Sequence, residues 1–439
     1  MTTGYRHIAQ RWRTLALLAG TGAFLAWCPA QANERDAQLA AISRLIEAHY
    51  AFPEKQDAVL AKLAQSLDEG RYASIDDRAF AMRVTEDLRA ASNDQHMSLV
   101  HDPARSESLA ARPKPADPGP DAAAFQARLN RAGNYGLAEL KILEGNVRYL
   151  DARAFAWTEG AAESAYDAAA RFLQDADAII VDLRGNTGGE PMAVRRMLSY
   201  LEKPGTPLYR LYVGPKARDI ASADIPQAAS LAGKPLYLLT ARDSVSAAEA
   251  FAYHVSAAGL GEIVGEKTMG AANISDLFAL APGFVLTISV GRATHAITGT
   301  DWEGTGVAPS IAVPFERALA VAHVRALESW RDSADARQRP AFEFDLRTTR
   351  ARLDPVPQDA RQLQRYVGVY GNRRVSLRDN RLVWKSHQQP EVALEPLDRD
   401  WFQISPRTQA RFVTREGGVV AVELHRPSGE TTLVERTAP

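Results

Sequence analysis

From residue 34 to 92 apolar residues recur at helical spacing, then give way to short continuous runs. Leu39, Ile42, Leu45, Ile46 and His49 share one face, as do Val59, Leu60, Leu63 and Leu67. Ser74 and Asp77 have the spacing of a capping box, predicting a third helix that places Phe80, Val84 and Leu88 together. That helix is expected to stop at Ser92-Asn93-Asp94, with a short strand or loop from Gln95 to Val100.

From Tyr135 the pattern predicts alternating strands and helices. Leu140 to Leu143 and Val147 to Leu150 flank Glu144-Gly145-Asn146 as a hairpin. Ala178 to Val181 and Leu236 to Leu239 are near-continuous apolar runs, as expected of strands covered on both faces. Each leads through a polar or glycine-rich turn into a helix, the first opened by Pro191 and the second running from Ala247 to Ala258. Ile263 to Gly265 adds a buried strand, Phe284 to Val290 an antiparallel one, and Glu316 to Trp330 a closing helix. After about residue 335 the helical signal fades. Leu363 to Glu435 then reads as a small all-β domain, with a hairpin turning at Asp379-Asn380.

Composition narrows the function classes. Lys and Arg total 52 against 53 Asp and Glu, a formal net charge of −1, which gives no electrostatic case for nucleic acid. Arg6, Arg11 and Arg13 precede the apolar run Leu15 to Trp27 and the small residues Ala30 and Ala32. This is the pattern of an export signal with the mature chain starting at Asn33, so a periplasmic or extracellular protein is expected. No stable membrane span is expected once the signal is gone. Cys28 is the one cysteine and would leave with the signal, removing thiol chemistry, disulfides and cysteine metal sites.

Three stretches have residues suited to chemistry. In Ser244-Val245-Ser246-Ala247-Ala248-Glu249, a serine stands at the mouth of a helix, where free N–H groups and the helix dipole favour an oxyanion. The same residues also serve as ordinary helix caps. Asp182-Leu183-Arg184-Gly185-Asn186-Thr187-Gly188-Gly189 is a glycine-rich turn without the Gly-Lys-Ser ending of a phosphate loop. Its Gly188 or Gly189 N–H could pair with that of Ala247 as an oxyanion hole, or the turn could be structural only. Trp302-Glu303-Gly304-Thr305-Gly306-Val307-Ala308-Pro309 is a constrained loop that offers Glu303. A serine needs a base, for which His96 and Lys267 are the candidates; His254 is two helical turns beyond Ser246. No ligand spacing supports a metal, and no cofactor is expected.

These stretches, with Asn134-Tyr135-Gly136 and Ile263-Val264-Gly265-Glu266, fall in the order found in the tail-specific, or carboxyl-terminal processing, serine proteases. The chain resembles that family across roughly residues 75 to 315, and most closely the branch of the tricorn protease core and interphotoreceptor retinoid-binding protein. The resemblance implies an α/β core similar to the ClpP and crotonase fold. It implies Ser246 as nucleophile, with the N–H of Ala247 and one from Gly188-Gly189 as the oxyanion hole. The serine–lysine branch places its lysine on or near Ala271, which has no base to offer. The tricorn-like branch uses a histidine and a glutamate, which His96 and Glu303 match. Gln95 stands where that branch has a second serine, and Ser310 where an aspartate is usual. No PDZ module fits between Val100 and Asn134.

The expected organisation is a signal peptide over 1–32, a helical subdomain over 33–112 and a proline-rich linker over 113–124. An α/β serine-peptidase core over 125–335 and a C-terminal linker with a small β domain over 336–439 complete it. The expected function is an exported peptidase acting on peptide or protein substrates. The alternative is a non-catalytic carrier of retinoid- or fatty-acid-type ligands on the same fold.

Overall fold

The computed structural model describes residues 29–111, 120–213, 216–280, 282–333, 335–387 and 389–438 of the chain. The expected export signal lies largely outside these residues. Among the described residues no helix is long and apolar enough to cross a membrane.

The centre is a six-stranded sheet that runs, edge to edge, β11 (Ile311–Ala312), β8 (Glu262–Gly265), β7 (Leu236–Thr240), β4 (Ala178–Asp182), β3 (Val147–Ala152) and β2 (Leu137–Leu143). All neighbours run parallel except the β2–β3 pair. Strand alternation explains the continuous apolar runs. Ile179, Val181, Leu236 and Leu238 pack under the helices Ala162–Gln174, Pro191–Ser199 and Ala247–Ala257. Ile180, Tyr237 and Leu239 point the other way, to the helices Ala318–Ser333 and Arg339–Leu353. Both faces are covered, so neither set of side chains can be polar.

The helix Arg339–Leu353 departs from the expected loss of helical signal after residue 335. Phe342, Phe344 and Leu346 alternate with charged residues, which imitates a strand. The alternation arises because this helix is buried on two sides. Phe342 and Leu346 join the core. On the other side Arg347 Nε donates to Gln409 Oε1 at 2.9 Å and Thr348 Oγ1 to Gln403 Oε1 at 3.0 Å, tying the helix to the C-terminal strands.

Those strands form a nine-stranded antiparallel sheet, from Val392–Ala393 (β15) at one edge to Glu395–Asp398 (β16) at the other. Only Leu394 separates the two edges in sequence, so the sheet curls into a nearly closed barrel. Its hairpin turn is the expected one, with Asp379 and Asn380 at φ 46° and 59°.

The N-terminal helices Pro29–His49, Pro53–Asp68 and Asp77–Ser92 do not close a core alone. Ile42, Val59, Phe80 and Leu88 pack with Phe284, Leu286 and Ile288. The latter three belong to β10 (Phe284–His295), which pairs antiparallel with β1 (Ser98–His101), β9 (Ile274–Leu280) and β5 (Pro207–Val213). The helix Asp77–Ser92 is capped by Asp76, whose side chain accepts from Ala79 N, and not by the expected Ser74. Of the expected linker, Pro120 to Ala124 begin a helix, Pro120–Ala132, in which proline and Asp121 suit the first turn.

Candidate active site

The serine and glycine turns sit side by side because their strands, β4 and β7, are parallel neighbours. Asp182 and Leu239 are register partners, so both chains leave the sheet at the same edge. Ser244 pins the two turns together. Its buried Oγ donates to Leu183 O at 2.7 Å and accepts from Ala241 N at 3.0 Å. Val245 N donates to Asn186 O at 3.0 Å.

Ser246 then adopts φ 56°, ψ −114°, a sparsely populated backbone state for a non-glycine residue. It enters the helix Ala247–Ala257 directly, and its own N–H donates to Glu249 Oε2 at 2.8 Å. Glycine is required opposite. A Cβ on Gly188 would lie 2.9 Å from Ser246 Cβ and 2.9 Å from Val245 O, and Gly188 itself has φ 102°. The two glycines differ in what their amides do. Gly188 N–H donates to Asn186 Oδ1 at 2.9 Å. Those of Gly189 and Ala247 have no hydrogen-bond partner among the described residues.

Glu249 was not singled out from sequence, although Ser246-x-x-Glu249 has the spacing of a capping box. It is fully buried, and besides Ser246 it accepts from Thr268 Oγ1 (2.6 Å), Gly270 N (2.6 Å) and Ala271 N (2.8 Å). Burial pushes its carboxyl above the ordinary range, while these donors pull it down. The next two amides belong to a different carboxylate. Ala272 N and Asn273 N donate to Glu303 Oε2 at 2.6 Å and 3.0 Å. Glu303 Oε1 accepts from Gln95 N at 2.7 Å. Four consecutive N–H groups, 270 to 273, are thus shared between the carboxylate that holds Ser246 and one beside His96.

His96 Nδ1 lies 3.5 Å from Glu303 Oε2. Burial pushes the Glu303 carboxyl up, but His96 and the Gln95 and Ala272 amides outweigh it and hold it below the ordinary carboxylate range. His96 is positioned by the end of the preceding helix. Asn93 closes that helix at φ 51°, and Asp94 Oδ1 accepts His96 N–H at 3.0 Å. The loop bearing Glu303 is clamped on the same corner: a Cβ on Gly304 would lie 2.4 Å from Asn93 Nδ2. Asp94, His96 and Glu303 are also the group of side chains able to hold a cation among the described residues. The other candidate base is elsewhere. Lys267 is exposed, so nothing desolvates its amine.

Both ring nitrogens of His254 are engaged away from Ser246. Its Nδ1 meets His295 Nε2 at 2.9 Å, and its Nε2 meets Glu202 Oε1 at 3.2 Å. Burial lowers both histidines, and for His295 burial and then its neighbour His254 bring the value to about 4. An unfolded chain binds protons at these rings near the ordinary histidine value of about 6.5, so stability is present above that pH and is lost as pH falls towards 4. Thermal unfolding followed from pH 7.5 to 4.5 is expected to show a falling Tm. In His295→Leu the fall should be shallower; an unchanged slope would contradict this reading.

Comparisons with known proteins bear on the family of the chain. Residues 146–313 match peptidase family S41, and residues 32–130 match the N-terminal domain of S41 peptidases in eukaryotic IRBP. Among solved structures the chain is similar to the photosystem II D1 C-terminal processing protease, at 16% identity and a TM-score of 0.39, covering 64% of this chain and 93% of that one. A putative peptidase from Parabacteroides merdae gives 18% identity and a TM-score of 0.47, covering 70% and 99%. Mature CPAF gives 12% and 0.48, covering 68% and 97%.

Proposed function

The chain belongs to peptidase family S41, and from that premise we propose that it cleaves peptide bonds with Ser246 as nucleophile and His96 as general base. The observation that carries this reading is the division of amides 270 to 273 between Glu249 and Glu303. It fixes the holder of Ser246 to the partner of His96 through one short segment.

The proton bookkeeping follows from His96. With Nδ1 facing Glu303, the ring hydrogen sits on Nδ1 and Nε2 is the basic nitrogen. Nε2 takes the Ser246 hydroxyl proton as Oγ attacks the substrate carbonyl carbon. The oxyanion accepts from Ala247 N–H and from Gly189 N–H, since Gly188 has already given its hydrogen to Asn186. His96 then returns the proton to the leaving amine, and water hydrolyses the acyl-enzyme by the same route.

The basic and apolar stretch ahead of Ala30 and Ala32 supports an exported enzyme, and a first residue of Asn33 in protein recovered from outside the cytoplasm would test it. The catalytic assignment is tested with a fluorophosphonate. One label per chain on Ser246, found by peptide mass mapping, is expected. A label on another serine in active protein would sink the assignment.

A further inference from the structure

Asp94, His96 and Glu303 make up a donor set whose capacity the proposed reaction does not use. One ligand atom from each lies within 4.8 Å of the other two. His96 Nδ1 is 3.5 Å from Glu303 Oε2 and 3.9 Å from Asp94 Oδ1. Ligands placed tetrahedrally around one zinc ion at usual bond lengths are roughly 3.3 Å apart, so small side-chain movements would close the set.

Three backbone N–H groups hold Glu303, but no cationic side chain among the described residues offsets the two buried carboxylates. Neither Asp94 nor Glu303 has a Lys or Arg at ion-pair distance among the described residues. Asp94 is fully buried, and its Oδ2 has no hydrogen-bond donor. Tyr50 and Ser289 lie beside Asp94, but neither hydroxyl closes a full hydrogen bond to it. His96 Nδ1 faces Glu303 Oε2 at 3.5 Å without closing a full hydrogen bond. Orphaned buried polar atoms of this kind call for a bound polar species, and two carboxylates favour one with positive charge.

We propose that Asp94, His96 and Glu303 bind a zinc ion, and that the zinc-bound protease is inactive. One imidazole nitrogen and two carboxylate oxygens suit zinc, with the fourth position left to water. Two carboxylates balance its two charges. Zinc takes the Nδ1 electron pair of His96, and the ring hydrogen moves to Nε2. The ring is then a donor towards Ser246 and can accept no proton from it. This inhibitory step rests on His96 being the base; zinc binding does not.

Metal-stripped protein is titrated with zinc chloride by calorimetry, and peptide hydrolysis is followed over the same zinc series. One binding site is expected, with turnover lost over the same concentrations and restored by EDTA. Asp94→Asn keeps an oxygen for the His96 N–H but gives up an anionic ligand. It should retain measurable turnover, with half-inhibition moved to zinc at least about tenfold higher, the low end for even outer-shell partners. His96→Ala, if its circular dichroism is native, should lose the binding heat. No binding site in the wild type, or equal inhibition of wild type and Asp94→Asn, would overturn the proposal. Zinc bound without loss of turnover would overturn the inhibitory step. Turnover persisting in His96→Ala would instead strike the catalytic assignment, leaving the calorimetric result standing.

Discussion

His96→Ala is expected to lower kcat/KM on a peptide substrate by about 10³-fold or more, the scale on which removing a member of a serine triad acts. The loss should fall mainly on kcat, because the ring acts on the serine proton and not on substrate binding. Without it Ser246 must lose its proton to water, although Ala247 and Gly189 N–H can still hold an oxyanion. Lys267→Ala should leave the rate near that of the wild type, since that side chain is exposed. Stopped-time assays of both variants check the pair. Full activity in His96→Ala with loss in Lys267→Ala would reverse the assignment.

Glu249→Gln is expected to damage both stability and activity, although Glu249 stands outside the proton transfers. The four hydrogen bonds it accepts come from Ser246, Thr268, Gly270 and Ala271. A glutamine turns one of its two oxygens into an NH₂ that faces donors. At least one pair of buried N–H or O–H groups then has no acceptor, a cost of about 2–4 kcal/mol. The freed segment 270–273 also carries the amides that hold Glu303, so the His96 partner loosens with it. Urea unfolding should show the reduced stability, and kcat should fall in protein that is still folded. Glu249→Asp, one methylene shorter, should not rescue either property. Wild-type stability in Glu249→Gln would mean that these contacts matter little.

The family and the strands around the candidate site were legible in the chain. Ser246, His96 and Glu303 stand in stretches whose order the family resemblance made meaningful, and the parallel strands β4 and β7, which lead to the glycine turn and to Ser246, read as apolar runs. What escaped depends on long-range partners. Ser246-x-x-Glu249 is a local cap by spacing, and nothing near it tells that the same carboxylate gathers amides twenty residues on. Asp94 looked like a helix terminator; its role beside His96 and Glu303 needs a loop more than two hundred residues away. That Asn186 Oδ1 takes the Gly188 hydrogen is a side-chain contact that the glycine-rich pattern does not disclose. The helix Arg339–Leu353 was hidden because burial on two sides erased its single apolar face. In the C-terminal domain the strands were readable from alternation, whereas the near-closure at Leu394 is a property of the whole sheet.

That Ser246 and His96 act as one unit is the claim on which the rest depends, and a double-mutant cycle on kcat tests it most directly. Ser246→Ala, His96→Ala and the double variant are assayed on one peptide substrate, with matched circular dichroism. If the two residues share a single proton transfer, the double variant is about as slow as either single one. If their losses multiply in the double variant, the residues act independently and the proposed site is wrong.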